Sequence, residues 1–334
     1  MEVHIIESND IYLNLAMEQA LFLELPENSR RLLIWKSSPC VVMGRFQNPW
    51  VECDLEGMRK DGVALARRQS GGGTVYHDSG NMNVSFMDWN ESYDKDVNNR
   101  IMIKTLEEHG HRAFSSGRSD VQIITPEGNK KVSGAAFKKK RDRSFHHATM
   151  LLNSNLDNLN KYLVPKIGEE RVQTKAISSV RSKVANTHIS EEEFVRDLVK
   201  NYELEHKGKA RIRIWTEEEV QEKVHMDPKY LHELKSWKWI CGETPLFKTK
   251  LQVSGWEVDI SIKKGVIQEV ELHHDDVHPG FLAELSEVLT KMSLRKEALE
   301  AQFNLPEVET YSEQALLLKE LLSAYFIKDF EHLD

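Results

Sequence analysis

The sequence has few cysteines, and their positions exclude two kinds of stabilised fold. Only three of its 334 residues are cysteine, namely Cys40, Cys53 and Cys241. They are odd in number and widely spaced, and no Cys-x-x-Cys pair of the kind that holds structural zinc is present. Neither a disulfide framework nor a cysteine-based zinc site is therefore expected, and a reducing compartment such as the cytoplasm fits.

Long apolar runs and an excess of positive charge are also missing. No apolar segment approaches the roughly 20 residues needed to cross a bilayer, and residues 1–10 show no secretory signal. The formal net charge is −8, from 45 Lys and Arg against 53 Asp and Glu, whereas nucleic-acid binding normally needs a basic surface. We expect a soluble protein that binds neither membranes nor nucleic acid.

Hydrophobic periodicity predicts mixed α and β structure without regular βαβ repeats. The expected helices near the N-terminal end lie at 12–25, 54–60 and 94–109. The expected strands lie at 31–36, 40–44, 63–68, 81–88, 121–125 and 145–153. From residue 246 onward the pattern changes to an alternating strand, a turn and a second strand before three helical segments. The chain therefore divides into a large domain at 1–245 and a small one at 246–334.

The most informative segment brings two basic residues, Arg67 and Arg68, next to the glycine run at 71–73. Backbone N–H groups of glycine can approach an anion closely, and a guanidinium can hold a carboxylate or a phosphate with two hydrogen bonds. No Lys-Ser/Thr pair follows the glycines, so the segment is not a P-loop. By itself, a glycine run of this kind is a flexible turn at least as often as a ligand loop.

A second segment places Lys131 before the small residues Ser133 and Gly134. A lysine between a carboxylate and the α-phosphate of ATP would draw the two anions together and stabilise charge that develops during adenylation. A solvated lysine in a turn is the alternative that spacing alone leaves open.

Taken in order, these segments resemble the lipoate–protein ligase family. The blocks that carry the resemblance are 67–81, 131–134 and 146–151, with further similarity at 14–16, 42–50, 177–182 and 237–239. Most of the chain is covered. The resemblance implies an α+β fold with a large biotin-ligase-like (class II synthetase-like) mixed-sheet catalytic domain at 1–245. It also implies a small α+β accessory domain at 246–334.

The resemblance implies ATP-dependent activation of lipoate to lipoyl-AMP with Mg²⁺, followed by transfer to a lysine of a lipoyl domain. The expected acceptors are the E2 subunits of 2-oxoacid dehydrogenases and the glycine cleavage H protein, and a cytoplasmic monomer is expected. Whether octanoate competes with lipoate as the substrate stays open. One alternative is a transferase that uses preformed lipoyl-AMP, and a cysteine-dependent octanoyltransferase and a non-catalytic adenylate-binding regulator fit less well.

Residue roles follow by position from the resemblance, with Lys131 as the catalytic lysine. The residues expected at the nucleotide are Arg68, Gly73, Thr74, Val75, Tyr76, Asp120, Lys131, Ser179, Val180 and Arg181. Those expected at lipoate are Trp35, Arg68, Ser70, Gly71, Gly72, His77, Lys131 and His147. Val42 is also expected to border the lipoate tunnel, although core packing explains Trp35 and Val42 equally. Asp120 is expected to hold Mg²⁺, and a loop carboxylate is the alternative.

Three further expectations concern the surroundings of these residues. The segment 175–183 should cover the adenylate and exclude water. Adjacent His146 and His147 should point to opposite faces of a strand, so that at most His147 faces the ligand and the pair is not a metal site. The basic run from Lys138 to Arg143 is a solvated hairpin or, alternatively, a docking surface for an acidic acceptor domain.

Overall fold

The computed structural model describes residues 1–117, 120–165, 172–180, 182–253, 255–303 and 312–327. Its strands are β1 (Glu2–Ile6), β2 (Arg30–Trp35), β3 (Cys40–Met43), β4 (Ala64–Arg67), β5 (Val75–His77), β6 (Asn81–Trp89), β7 (Ala113–Ser116), β8 (Asp120–Thr125), β9 (Gly128–Lys139), β10 (Arg143–Leu151), β11 (Val172–Thr174), β12 (Arg211–Trp215), β13 (Phe247–Val253), β14 (Trp256–Lys263) and β15 (Val266–His273). Its helices are α1 (Ile11–Leu23), α2 (Pro49–Glu52), α3 (Leu55–Asp61), α4 (Lys95–Glu108), α5 (Leu156–Tyr162), α6 (Glu191–Glu205), α7 (Glu217–His225), α8 (Lys229–Lys235), α9 (Trp237–Ile240), α10 (Pro279–Leu289), α11 (Lys296–Phe303) and α12 (Ser312–Leu322), with a π-helical turn at Ser323–Ile327.

The chain divides into two compact units. The first unit comprises Met1–Arg45, Val63–Lys161 and Ser179–Leu234, and the second comprises Phe46–Gly62, Tyr162–Ser178 and Lys235–Asp334. Two short internal segments therefore group with the C-terminal part of the chain. The domain boundary between residues 245 and 246 stays a prediction.

An eight-stranded mixed sheet forms the frame of the first unit, in the order β12-β1-β2-β6-β10-β9-β8-β7. Strands β12, β1 and β2 run parallel, and the pairs from β2 onward are antiparallel. One face packs on α4 and α6 through a continuous apolar cluster that includes Val84, Phe86, Leu106 and Phe194. Side chains alternate along a strand. Ser85 of β6 and its partner His147 of β10 therefore face the other side of the sheet.

A second sheet of three short strands, in the order β4-β3-β5, belongs to the same unit. Strand β3 pairs with β4 in parallel and with β5 antiparallel, so that Val42 lies opposite both Ala66 and Val75. Residues 68–74 join β4 to β5 and contain the three glycines. The strands predicted at 63–68 and 81–88 are present as β4 and β6, whereas β5, directly after the glycine loop, was not predicted. The small sheet fixes both ends of the glycine loop.

The second unit contains the four-stranded sheet β11-β13-β14-β15. Along β14 the side chains of Trp256, Val258, Ile260 and Ile262 are all buried, as the period-two pattern predicts. Helices α10, α11 and α12 follow β15. The sequence-based order of strand, turn, strand and three helical segments is confirmed for this part of the chain.

The mixed α and β class is confirmed, but one long strand was not predicted. Strand β9 spans Gly128–Lys139, a stretch in which the sequence pattern predicted no strand. Lysine, glycine and alanine have low intrinsic strand preference, yet β9 pairs with β8 on one side and β10 on the other. Tertiary pairing therefore overrides local preference here. Within the described part of the chain, no helix has both the length and the apolarity needed to cross a bilayer.

A buried carboxylate, Asp88, lies at the end of β6 opposite Arg30 of β2. Its side chain is only 6% exposed, and the Nε of Arg30 is 3.6 Å from its Oδ1. Burial raises the pKa of Asp88 to about 6, and the long contact with Arg30 compensates only in part. The ionised form is therefore less favourable in the folded chain than in the unfolded chain.

The substitution Asp88→Asn tests this cost. Both states of the wild type are protonated well below pH 3.8, and the unfolded chain ionises first as the pH rises. The wild type should therefore lose free energy of unfolding between about pH 4 and 6, by up to about 3 kcal/mol relative to the variant. Urea unfolding of both proteins at pH 4 and pH 8 measures the difference. Parallel pH responses would show that Asp88 ionises without this cost.

Candidate active site

The buried guanidinium of Arg68 organises the glycine loop of residues 68–74. Its Nη2 donates to the carbonyl oxygens of Gly71 and Gly73 at 2.7 Å, and its Nη1 donates to that of Val42 at 3.0 Å. Its Nε donates to the hydroxyl of Ser70 at 3.0 Å. Burial lowers the pKa of Arg68 to about 10, which leaves it cationic at neutral pH. Arg68 thus holds the loop from within, a role that motif reasoning did not assign to it; its predicted contact with nucleotide and lipoate stays a prediction.

Close backbone approach explains two of the glycines at this loop. A Cβ atom on Gly44 would lie 2.1 Å from the carbonyl oxygen of Gly72, so only glycine permits this contact. Gly72 itself has a φ of +86°, in the left-handed region that favours glycine. A Cβ there would lie 3.0 Å from Nη2 of Arg68, whereas a Cβ on Gly71 would meet nothing within 4 Å. The loop conformation therefore requires glycine at 44 and 72 but not at 71.

A chain of hydrogen bonds links the loop to Glu18 of α1. His147 Nε2 lies 2.7 Å from the Ser70 hydroxyl, and His147 Nδ1 lies 3.2 Å from Glu18 Oε1. Ser85 also donates to Glu18. Burial by itself raises the pKa of Glu18, but the attraction and hydrogen bonds of His147 and Ser85 outweigh it and hold the pKa below its ordinary value. An ionised carboxylate thus faces Nδ1, which places a proton on that nitrogen and orients the ring toward Ser70.

Trp35 and His77 form an apolar wall with unpaired polar edges. Their rings meet edge to face with centroids 5.9 Å apart, and both side chains are at most 3% exposed. Burial, and then the charge of Arg68, lowers the pKa of His77 to about 3, so the ring is neutral. Among the described residues, neither nitrogen of His77 nor the indole Nε1 of Trp35 has a hydrogen-bond partner. Buried polar atoms of this kind normally have a partner, so these three nitrogens are candidates for contact with a polar group of a bound molecule.

An irregularity in strand pairing turns the side chain of Lys131 away from the core. The register between β8 and β9 shifts between Val121 and Gln122, so that Ser133 pairs with Val121 but Lys131 pairs with Gln122. Regular alternation would place Lys131 on the same face as Val121, which is buried in the core. The shift instead turns it to the face of Asp120, where its Nζ lies 2.8 Å from Oδ1. Bulges next to active sites commonly redirect a side chain in this way.

The segment predicted to cover the adenylate contacts both the glycine loop and Lys131. The N–H of Thr74 donates to the hydroxyl of Ser179 at 2.8 Å. Farther along, the N–H of Lys131 donates to the carbonyl of Lys183 at 2.8 Å, and the N–H of Ala185 donates to that of Lys131. Ser179 and Thr74, which were both predicted to contact the nucleotide, are therefore in contact with each other. Val180 is 86% exposed, and Arg181 lies outside the described residues.

The remaining predicted residues also take defined positions. Val75 and Tyr76 lie on β5 directly after the loop, and Asn158 donates to the hydroxyl of Tyr76 at 3.4 Å. His146 packs between Phe86 and Phe137 while His147 faces Ser70, as strand alternation predicts. No three potential His, Cys, Asp or Glu ligands meet in the described part of the chain. Asp120 lies beside Lys131, and its contact with magnesium stays a prediction.

Residues 10–202 match the lipoyl protein ligase A/B catalytic domain family, which covers more than half of the chain. The chain belongs to this family. A lipoate-protein ligase A of Bdellovibrio bacteriovorus is 35% identical over 308 residues, 90% of either chain. P. falciparum LipL1 in complex with lipoate is 25% identical, with a TM-score of 0.61 and coverage of 96% of this chain and 99% of the other. A lipoate-protein ligase A bound with ATP is 25% identical, with a TM-score of 0.58 and coverage of 72% and 98%.

Sequence reasoning missed Glu18, which forms a hydrogen bond with the predicted site residue His147. It lies on the buried stripe of α1 with Ile11, Leu15 and Phe22, at helical spacing. A carboxylate on an apolar stripe is costly unless it is paired. That mismatch between a charged residue and its apolar neighbours is the signal that could have identified it.

The prediction for the basic run is wrong at Lys138, which was expected to be solvated or to form a docking surface. Its Nζ donates to Oε1 of Gln19 at 2.8 Å and also to Gln69, and it lies 5.7 Å from the ring centroid of Phe22. Burial lowers its pKa to about 8. The strand directs this lysine inward, toward the residue before Ser70. Lys139, Lys140 and Arg141 are exposed.

Gly72→Ala tests the loop geometry, with Gly71→Ala as the matched control. An alanine at 72 would combine a left-handed φ with crowding of Arg68, at a cost of about 1–3 kcal/mol. We expect lower thermal stability or a displaced loop with impaired ATP-dependent turnover, while Gly71→Ala remains close to wild type in fold. Thermal unfolding and pyrophosphate release measure both effects. Equal behaviour of the two variants would refute the assigned geometry.

Proposed function

We propose that this chain is an ATP-dependent lipoate–protein ligase. In the first step a carboxylate oxygen of lipoate attacks the α-phosphorus of ATP, and pyrophosphate leaves to give lipoyl-AMP. In the second step the amine of an acceptor lysine attacks the acyl carbonyl, and AMP leaves as the amide forms. The observation that carries the proposal is the placement of Lys131 on an irregular strand, tied by its backbone to the segment that also contacts the glycine loop.

Lys131 has the charge and reach that the first step requires. Lipoate and ATP are both anions, and a fixed ammonium between them reduces their repulsion and stabilises charge on the phosphate oxygens in the transition state. The amine is 23% exposed and paired with Asp120 at 2.8 Å. When an anionic substrate approaches, the ammonium can exchange that partner for the substrate without losing its charge compensation.

Asp120 and the glycine loop complete the nucleotide side of the proposed site. Asp120 would hold Mg²⁺ together with the phosphates of ATP, and the ion would neutralise phosphate charge. A single carboxylate suits magnesium, which usually keeps water and substrate oxygens as its other ligands. Gly73, Thr74, Val75 and Tyr76 would then lie along the nucleotide, with Arg68 holding the loop beneath them.

The apolar wall of Trp35 and His77, with Val42 nearby on β3, suits the aliphatic chain and dithiolane of lipoate. Ser70 and His147 would form the polar boundary of that slot, and Gly71 and Gly72 its backbone edge. The segment 175–183 would exclude water from lipoyl-AMP, which hydrolyses when exposed. Acceptors would be lipoyl domains of E2 subunits and H protein, and a monomeric, cytoplasmic enzyme completes the proposal.

Two alternatives differ from this proposal in one feature each. A transferase that accepts preformed lipoyl-AMP would share the slot but lack the activation step. An octanoyltransferase would need a reactive cysteine, whereas all three cysteines are buried and burial raises the pKa of Cys40 to about 12. A thiolate nucleophile is therefore not supported at that position.

Pyrophosphate release from ATP with lipoate and Mg²⁺, without acceptor, tests the activation step. We expect release by the wild type and a loss of about 10²- to 10³-fold in Lys131→Ala, because the lost charge acts mainly in the transition state. Lys130→Ala, a neighbouring lysine in the same strand, should retain activity. Transfer from synthetic lipoyl-AMP without any pyrophosphate release by the wild type would instead identify the transferase.

The exposed part of the basic hairpin can be tested as a docking surface for an acidic acceptor. Lys139→Glu combined with Lys140→Glu should slow lipoyl transfer about tenfold or more at low salt, because steering between opposite charges is screened by ions. Adenylate formation should be unchanged. Lys200→Glu with Lys207→Glu, at α6 and just after it, makes the same change in net charge and serves as control. Equal slowing by both pairs would indicate net charge rather than docking at the hairpin.

A further inference from the structure

The amine of Lys131 rests directly on the backbone of Gly134. Gly134 lies opposite Asp120 in the pairing of β9 with β8. A Cβ atom on Gly134 would lie 2.9 Å from Cε and 3.0 Å from Nζ of Lys131, and 4.0 Å from Oδ1 of Asp120. No side chain separates the lysine from this stretch of main chain. The Gly134 backbone on one side and the Asp120 carboxylate on the other therefore bound the position of the ammonium group.

Gly134 is held by one side chain from the neighbouring strand. The hydroxyl of Thr149 on β10 accepts from the N–H of Gly134 at 3.2 Å and lies 3.3 Å from its carbonyl oxygen, to which it can donate. The backbone pairing of β9 with β10 runs from Ser144–Lys139 to Ala148–Ala135 and stops one residue short of Gly134. The Thr149 hydroxyl thus continues the ladder where the backbone pairing ends.

Thr149 is itself in a fixed position. It pairs with Asn83 in the ladder between β10 and β6, near the centre of the eight-stranded sheet. A β-branched side chain in a strand has restricted χ1 rotation, so the hydroxyl has little freedom to move. The order of support therefore runs from the sheet centre through Thr149 and Gly134 to the ammonium of Lys131.

We propose that Thr149 is a positioning residue that places the Lys131 ammonium for acid activation by fixing Gly134. This inference rests on the proposed catalytic role of Lys131. Without the hydroxyl, Gly134 keeps its pairing with Asp120 on β8 but has no partner on the β10 side and no Cβ to restrict it, and the surface beneath Lys131 can shift. Because a displacement of about 1 Å can cost about 100-fold in rate, the effect should fall on kcat and leave KM for ATP nearly unchanged.

The test compares Thr149→Val, which keeps the shape and removes the hydroxyl, with Thr149→Ser, which keeps the hydroxyl. Thr125→Val is the matched control, since the Thr125 hydroxyl donates to the carbonyl of Gly128 at the other end of the β8–β9 pair. We expect kcat for pyrophosphate release to fall about 10- to 100-fold in Thr149→Val, with unchanged melting temperature. Thr149→Ser should recover most of the rate, and Thr125→Val should match wild type. Wild-type kcat in Thr149→Val, or an equal loss in Thr149→Ser, would overturn the proposal.

A second measurement keeps this inference separate from the proposed function. Acetic anhydride labels lysine amines, and peptide mass spectrometry gives the labelling rate of Lys131 itself without substrates. The rate should change at least threefold in Thr149→Val and remain at the wild-type value in Thr149→Ser and Thr125→Val. If the labelling rates follow this pattern but the wild type releases no pyrophosphate, the positioning role would be upheld and the activation step refuted. An unchanged labelling rate in Thr149→Val would refute the positioning role whatever the enzyme activity shows.

Discussion

The interaction on which the candidate site depends is the bonding of one buried guanidinium to the carbonyl groups of the glycine loop. Arg68 draws the carbonyls of Gly71 and Gly73 to itself, and the loop folds around the resulting buried charge. A buried cation is costly without nearby compensation. That compensation comes from the attraction of Glu18, linked to Arg68 through His147 and Ser70. Helix α1 and strand β10 are thereby joined to the loop.

The second constraint is the pairing irregularity that turns Lys131 out of the core. On a regular strand a lysine at this position would share the face of Val121, where burying an ammonium would be unfavourable. The register shift lets Val132 fill the core while Lys131 pairs with Asp120. Apolar packing and placement of a charge are therefore satisfied by neighbouring residues of one strand. The same strand also brings Ala136 close to Gly72, so loop and lysine share a support.

Short-range patterns predicted much of this fold, and the errors have a common cause. The alternation along β14 and the strand β4 that leads into the glycine run depend on residues close in sequence, and both were predicted. Strand β9 was missed because its lysines and glycine favour a turn locally, while two neighbouring strands supply its hydrogen bonds. Lys138 was expected in solvent because a charge run is usually solvated, yet Gln19 and Gln69 bind it inside.

The sequence by itself determined the kind of chemistry the chain can support. Its glycine run, its two arginines and the lysine before small residues are fixed by residue type and order, and these blocks also indicate the family. Only the tertiary structure decided which contacts those groups make within the protein. Whether Arg68 faces a ligand or its own loop, and whether Lys131 or Lys138 faces outward, depends on strand register and on residues far apart in the chain. The pairing of Glu18 with His147 arises in the same way, because 129 positions separate the two residues and only folding brings them into hydrogen-bond distance.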